Sequence, residues 1–135
     1  CPFAAHIRKT NPRSDLTPEQ LDSHRIIRRG IPYGPEVSHQ ERLSHKTQQD
    51  RGLLFACYQS DISKGFQFIQ QSWANNEKFI FGKPGNFEPG LDPIIGQNAD
   101  STERTMKGSS IDNPSKPLNL GDPEWVLSRG GEYFF

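Results

Sequence analysis

Hydrophobic residues along this 135-residue chain gather in a few clusters, and two of those clusters have different periods. The run LLFACY at 53–58 has the length of a buried strand. Alternation along it sends Leu53, Phe55 and Cys57 to one face and Leu54, Ala56 and Tyr58 to the other. Just beyond, Ser60 or Asp61 offers a helix N-cap, and Ile62, Phe66, Ile69 and Trp73 recur at i, i+4, i+7 and i+11. That spacing makes one stripe of a helix, which Asn75 and Asn76 end. Upstream, residues 24–29 form a short strand candidate around Ile26 and Ile27, stopped by Gly30, Pro32 and Gly34. Residues 35–52 are polar and read as an exposed connection. Strand, polar connection, strand and helix is the order of an α+β domain with an antiparallel sheet. From Lys78 the chain is rich in Gly, Pro and Asn. Its fixed points there are a FIFG turn at 79–82, GLDPIIG at 90–96 and a final RGGEYFF.

Composition narrows the picture. Only 32% of the residues are hydrophobic, against roughly 45–50% apolar in typical domains, and the mean hydropathy is −0.78. With 11 Pro and 12 Gly, much of the chain is loop. Either this is a small loop-rich domain, or its core is completed by another stretch of protein or a large apolar cofactor. Lys and Arg number 16, as do Asp and Glu, which argues against a nucleic-acid footprint. No apolar run approaches the roughly 18–20 residues of a membrane span. The opening CPFAAHIRKTNPR has no secretory-signal pattern, and no N-x-[ST] sequon occurs, since Asn113 precedes Pro114. Cys1 and Cys57 allow one disulfide, although Cys57 within an apolar run reads as a buried thiol. Neither lies in a C-x-x-C-H pattern, which excludes that mode of covalent haem attachment.

Several residues carry candidate chemistry, each beside a plainer reading. His6 lies among Pro, Ala and Phe and is followed by Arg8, Lys9 and Arg13. It fits an imidazole that binds a metal, with cations nearby for an anion such as a haem propionate. It equally fits an ordinary half-exposed histidine. His24, His39 and His45 have no metal-cluster spacing; His39 and His45 read as solvated, and His24 as facing the sheet. Arg28 shares a strand face with Ile26, so it is the inward member of the Arg28, Arg29 pair. It would need an anionic ligand or an acidic partner if buried, or it is an edge-strand charge. Asp92, before Pro93, suits a hydrogen bond to the far nitrogen of a liganding histidine, or an Asp-Pro turn. Tyr33 and Trp73 have rings able to relay electrons, while Trp73 closes an apolar stripe and Tyr33 sits in a turn.

Taken in order, CPFAAHIRKTNPR, RRGIPYG, GLLFACYQSDISKGFQFIQQSW, GLDPIIGQ and RGGEYFF resemble the C-terminal half of the dye-decolorising peroxidases, the fungal type in particular. The resemblance spans the chain from Cys1 to Phe135. It implies a ferredoxin-like α+β fold with an antiparallel sheet and helices, residues 1–135 forming an incomplete C-terminal haem-binding domain. It also implies a haem b peroxidase that uses hydrogen peroxide to oxidise dyes and phenolic compounds, secreted from the cell. By position, His6 matches the proximal iron ligand and Arg28 the distal arginine that assists peroxide cleavage. Leu53 and Phe55 match apolar walls of the distal pocket, Arg13 a propionate contact and Asp92 an acidic partner of His6. Tyr33 and Trp73 match aromatics that carry electrons to bulky substrates, core packing remaining the first reading of Trp73. The family's G-x-x-D-G motif, with its acid–base aspartate, is nowhere in the sequence. The expectation is therefore a fragment whose missing N-terminal part carries that aspartate, poorly active alone, with a non-catalytic haem-binding fragment as the alternative.

Overall fold

The computed structural model describes residues 2–82, 87–97, 104–121 and 124–135. Two short helices open the chain, α1 (His6–Thr10) and α2 (Pro18–Asp22). In α2, Thr17 and Gln20 form a reciprocal capping box and Pro18 occupies the first turn, where a missing N–H costs nothing. Strands β1 (Ile27–Arg28) and β2 (Ile31–Tyr33) follow, then α3 (His39–Ser44), β3 (Gly52–Leu54) and β4 (Cys57–Tyr58). A helix that begins as α4 (Phe66–Phe68) widens to π spacing over Ile69–Ala74. A last antiparallel pair joins β5 (Thr105–Met106) to β6 (Leu118–Asn119). The class is α+β with antiparallel pairing, as the sequence predicts.

The two middle pairings are one ribbon. Ile27 faces Tyr58 and Arg28 faces Cys57, while Ile31 faces Leu54 and Tyr33 faces Gly52, all in the same register. Between them the Arg29 amide donates to the Ala56 carbonyl at 2.7 Å. The alternation predicted for 53–58 therefore holds: Leu53, Phe55 and Cys57 share a face with Arg28. The predicted burial does not hold. Leu53 is 56% exposed, Leu54 64% and Phe55 41%. A ribbon of two strands has no layer over most of either face among the described residues, so a strand-like pattern here does not make a buried strand.

Other expectations need correction. The first strand begins at Ile27, not at 24, and His24 follows α2 with its ring stacked on Phe68 at 3.8 Å. Residues 61–65 form a turn rather than helix, Asp61 accepting from the Ser63 amide and hydroxyl. Of the predicted stripe, Ile69 and Trp73 reach the core, Ile62 stays half-buried, and Phe66 leans on Phe55 at 5.5 Å. Asn75 caps the helix end as expected. Cys57 is a half-buried free thiol; Cys1 lies outside the described residues.

The core is small. Leu21, Ile69, Trp73, Phe79 and Ile80 form its main cluster, with Leu16, Ile26 and Phe68 packed against it. Trp73 stacks on Phe79 at 5.3 Å, nearly parallel. A second cluster joins Ala4, Met106 and Leu120. Phe79 and Ile80 thus turn the FIFG segment into core.

The polar connection at 35–52 is ordered by one carboxylate. Ser38 caps α3 and forms a capping box with Glu41. Glu41 also accepts from the Gln48 and Gln49 amides and from both arms of Arg51, at 2.7 and 2.8 Å. Arg51 in turn donates to the carbonyls of Pro35 and Glu36, closing the loop. At its mouth Gly34 takes φ +100°, and a Cβ there would meet the Asp50 carbonyl at 2.5 Å.

Arg51, then the Gln48 and Ser38 backbone donors, hold the Glu41 carboxyl well below the usual carboxylate range. A carboxyl with a depressed native pKa stabilises above its unfolded value of about 4.3 and loses that contribution as pH falls through the native value. The loop should thus stay closed on acidification through pH ~4. Glu41→Gln is expected to speed amide exchange at Gln48 and Gln49 roughly tenfold at neutral pH while the Arg29 amide in the ribbon is unaffected. Unchanged protection at both glutamines would refute Glu41 as the organiser.

Candidate functional site

His6 is the first residue of α1, and Thr10 one turn on donates its hydroxyl to the His6 carbonyl at 2.8 Å. The His6 side chain is 30% exposed and that of Asp92 wholly buried. Nδ1 of His6 lies 2.9 Å from Asp92 Oδ2 and 3.1 Å from Oδ1. Facing a carboxylate, Nδ1 carries the proton and donates, which leaves the Nε2 lone pair free when the ring is neutral. Among the described residues Nε2 has no hydrogen-bond partner.

Asp92 satisfies both of its sequence readings at once. Its Oδ1 accepts from the Ile94 and Ile95 amides at 2.8 and 2.9 Å, forming the Asp-Pro turn. The same carboxylate meets His6. Its own amide donates to the Ala74 carbonyl at 2.9 Å, so the turn is pinned to the end of the π-helical segment.

The cations after His6 divide their tasks. Arg8 forms a bidentate pair with Asp15, both bonds at 2.7 Å, and Asp15 raises its pKa. Lys9 is fully buried and donates to backbone carbonyls of Trp73 and Asn76 at 3.3 and 2.5 Å. Arg13 is exposed and makes no ion pair among the described residues. It is the guanidinium of this segment left available to an external anion.

A second group gathers on the ribbon. Ile26, Ile27, Arg28, Gly30, Leu53 and Phe55 wall an open concavity of about 550 Å³. Arg28, Leu53 and Phe55 meet there because the register puts them on one face. Gly30 keeps it open: a Cβ would come within 3.1 Å of Leu53 Cδ1. Arg28 is exposed and has no ion pair among the described residues. His6 is not among the walls of this concavity. Tyr33 sits on the opposite ribbon face, its ring over Gly52, where a Cβ would meet the phenol oxygen at 2.5 Å. Trp73 is 5% exposed and belongs to the core.

Two charged residues with structural weight escaped the sequence reading. Burial pushes the Lys9 ammonium down to about 8, with the Asp92 and Glu77 charges acting the other way. Arg104, 5% exposed, donates to the Pro93 carbonyl, and its Nε and Nη1 have no partner among the described residues. No local pattern announces either, because burial of a charge is a tertiary property. Among the described residues no group of three or more His, Cys, Asp or Glu can hold a metal ion. His6 offers a single nitrogen, and a single axial nitrogen is what a metal already held in a macrocycle requires.

Residues 1–80 match the family model described as Dyp-type peroxidase, C-terminal. A dye-decolorizing peroxidase of Exidia glandulosa is 54% identical over 135 residues, covering 100% of this chain and 25% of that protein. The structure of an ancestral D-type dye decolorizing peroxidase superposes with a TM-score of 0.88 at 58% identity, over 96% of this chain and 29% of its own. A dye-decolorizing peroxidase in complex with 2,6-dimethoxyphenol superposes with a TM-score of 0.80 at 49% identity, over 94% and 27% of the two chains. The chain therefore spans between a quarter and a third of the length of these proteins, and the neighbours carry the expected ferredoxin-like α+β class.

Asp92→Ala should destabilise the chain by on the order of 3 kcal/mol, since a wholly buried turn loses the acceptor for two amides and an imidazole. Urea unfolding measures this. A loss within about 0.5 kcal/mol, the usual range for surface changes, would contradict the buried geometry.

Proposed function

This chain belongs to the Dyp-type peroxidase family, and on that premise we propose that it holds the haem of a peroxidase, with His6 as axial ligand and Arg28 as the group acting on hydrogen peroxide. The observation that carries the reading is the His6 Nδ1 bond to wholly buried Asp92. A carboxylate on the far nitrogen fixes tautomer and ring orientation and makes Nε2 a stronger donor. The open concavity of about 550 Å³ supports it too, since cofactor pockets run from roughly 300 to 1,000 Å³.

When bound, haem b would supply the iron and the electron transfers that couple peroxide reduction to oxidation of dyes or phenolic compounds. The residues of the chain do the rest. Asp92 keeps the proton on Nδ1. Arg13 would pair with a propionate. Leu53 and Phe55 would line the peroxide approach with apolar surface. Arg28, without an ion pair among the described residues, would offer N–H donors to a peroxide oxygen and stabilise negative charge developing there. Tyr33, 45% exposed, would take electrons from substrates too bulky to enter, and Trp73, packed on Phe79, would act as an internal relay at most. The phenol complex of a 49% identical relative supports the substrate class.

No G-x-x-D-G segment occurs in this sequence. The acid–base aspartate is assigned to the remainder of the enzyme, which is also the partner that would cover the ribbon; a secreted location is part of the same proposal and rests on the resemblance to the fungal type alone. The same missing segment favours a second reading, in which the chain binds haem without turnover.

Addition of hemin to the chain should give a Soret band that His6→Ala weakens at least tenfold in affinity. Equal haem retention by that variant would remove His6 from the site. In an enzyme that carries the G-x-x-D-G segment, Arg28→Leu should keep haem yet slow peroxide consumption on the order of 10²–10³-fold, the effect of deleting one charge-stabilising donor. Wild-type stopped-flow rates would eliminate Arg28 as that donor. Dye bleaching by the haem-loaded chain assembled with a segment that carries G-x-x-D-G separates the catalytic reading from the second one.

A further inference from the structure

Lys9 is an expensive residue to bury, and the fold buries it completely. Its ammonium spans from α1 to the end of the π-helical segment, where the Trp73 and Asn76 carbonyls accept its protons at 3.3 and 2.5 Å. Carbonyls at a helix end lack intrahelical donors and form the negative pole of the helix dipole. That gives a cation reason to be there. The carbonyl of Ala74, in the same turn, takes the Asp92 amide at 2.9 Å. One turn of backbone thus holds both Lys9, three residues after His6, and the residue that His6 contacts. The path closes on itself: His6 to Lys9 along α1, Lys9 to residues 73–76, Ala74 to Asp92, and Asp92 back to His6 Nδ1 at 2.9 Å.

We propose that Lys9 is a positioning residue for the His6 and Asp92 pair, clamping α1 at the distance at which Nδ1 meets the carboxylate and Nε2 is presented bare. The inference rests on the reading of His6 as the axial ligand for its meaning, but its geometry concerns this chain alone. A helix of five residues has too few internal bonds to stay placed unaided. Apolar packing at α1 is thin, because Ile7 is 59% exposed and His6 half-exposed. The buried ammonium is therefore the principal tether of α1 to the π-helical segment. The Asp92 and Glu77 charges favour its protonated form against the burial that opposes it, so the tether is charged as well as hydrogen-bonded.

Nitrogen-15 NMR of the His6 ring in the ligand-free chain tests this, read where the ring shifts themselves report the neutral form. Wild type should show Nδ1–H as the dominant tautomer. Lys9→Met should cut the ratio of Nδ1–H to Nε2–H about tenfold, the factor one well-made hydrogen bond is worth, and Lys9→Arg should restore it. Where Lys9→Met leaves the chain unfolded, Lys9→Gln, which removes the ammonium and its charge, is read in its place for a shift in the same direction. Leu21→Ala, which cuts the core cluster but leaves every hydrogen-bonding group of the clamp in place, should lower stability and leave the tautomer ratio alone. A wild-type ratio in the folded Met or Gln variant, or an equal change in Leu21→Ala, overturns the proposal. Hemin binding by His6→Ala is scored apart, so the axial-ligand reading can fall while the clamp stands, or the reverse.

Discussion

A wholly buried carboxylate in a chain this poor in apolar residues has to be surrounded by donors, and Asp92 is. The Ile94 and Ile95 amides and the His6 ring meet its oxygens, and its own amide is tied to Ala74. Loss of any one donor leaves a charge in low dielectric with less compensation, a cost of several kcal/mol for an ion left without partners. The carboxylate thus imposes a geometry on everything that touches it. The turn at 92–96 cannot drift from the π-helical segment, and α1 cannot rotate His6 away. Trp73 and Phe79 stack beneath the same turn, so the main core and the histidine share a foundation.

The ribbon obeys an opposite logic. Its register is unambiguous, fixed by Gly52 under the Tyr33 ring and by the organised loop around Glu41. Its surfaces are left unfinished: Ile27 is 73% exposed and Tyr58 73%, on the face opposite Arg28. Apolar side chains at this exposure on both sides of a two-stranded ribbon gain little from burial. What holds the strands is backbone pairing plus the loop at one end. The curated relatives are about four times as long as this chain, and a ribbon of this kind is one that further strands and helices would cover.

The parts legible in the sequence were those governed by local period. Alternation placed Leu53, Phe55 and Cys57 together, and antiparallel pairing with β1 then added Arg28 to that face. Burial of the same residues was not legible, since it depends on what lies above them. Helices α2 and α3 could have been read from T-P-E-Q and S-H-Q-E, both capping boxes, but their polar composition argued for loop. For His6 and Asp92, 86 positions apart, local chemistry left two readings each and only the ordered resemblance joined them. Lys9 and Arg104 had no signal at all. A lysine in a basic run looks solvated until a helix end is packed over it.

The two halves of the proposed site therefore differ in how much of them this chain owns. On the histidine side every contact is internal: donor, acceptor, turn and tether come from α1, the π-helical segment and residues 92–96. Such a site is organised before any cofactor arrives, and binding would meet little ordering cost there. On the arginine side the chain provides one face, with Arg28 exposed, Leu53 and Phe55 beside it and no acidic group among the described walls. A guanidinium left without a partner keeps its donors available for an external anion or peroxide, yet in water it is also weakened by solvent. Shielding it requires protein above the ribbon. Haem affinity should therefore be a property of this segment, and peroxide activation a property of its assembly with the remainder of the enzyme.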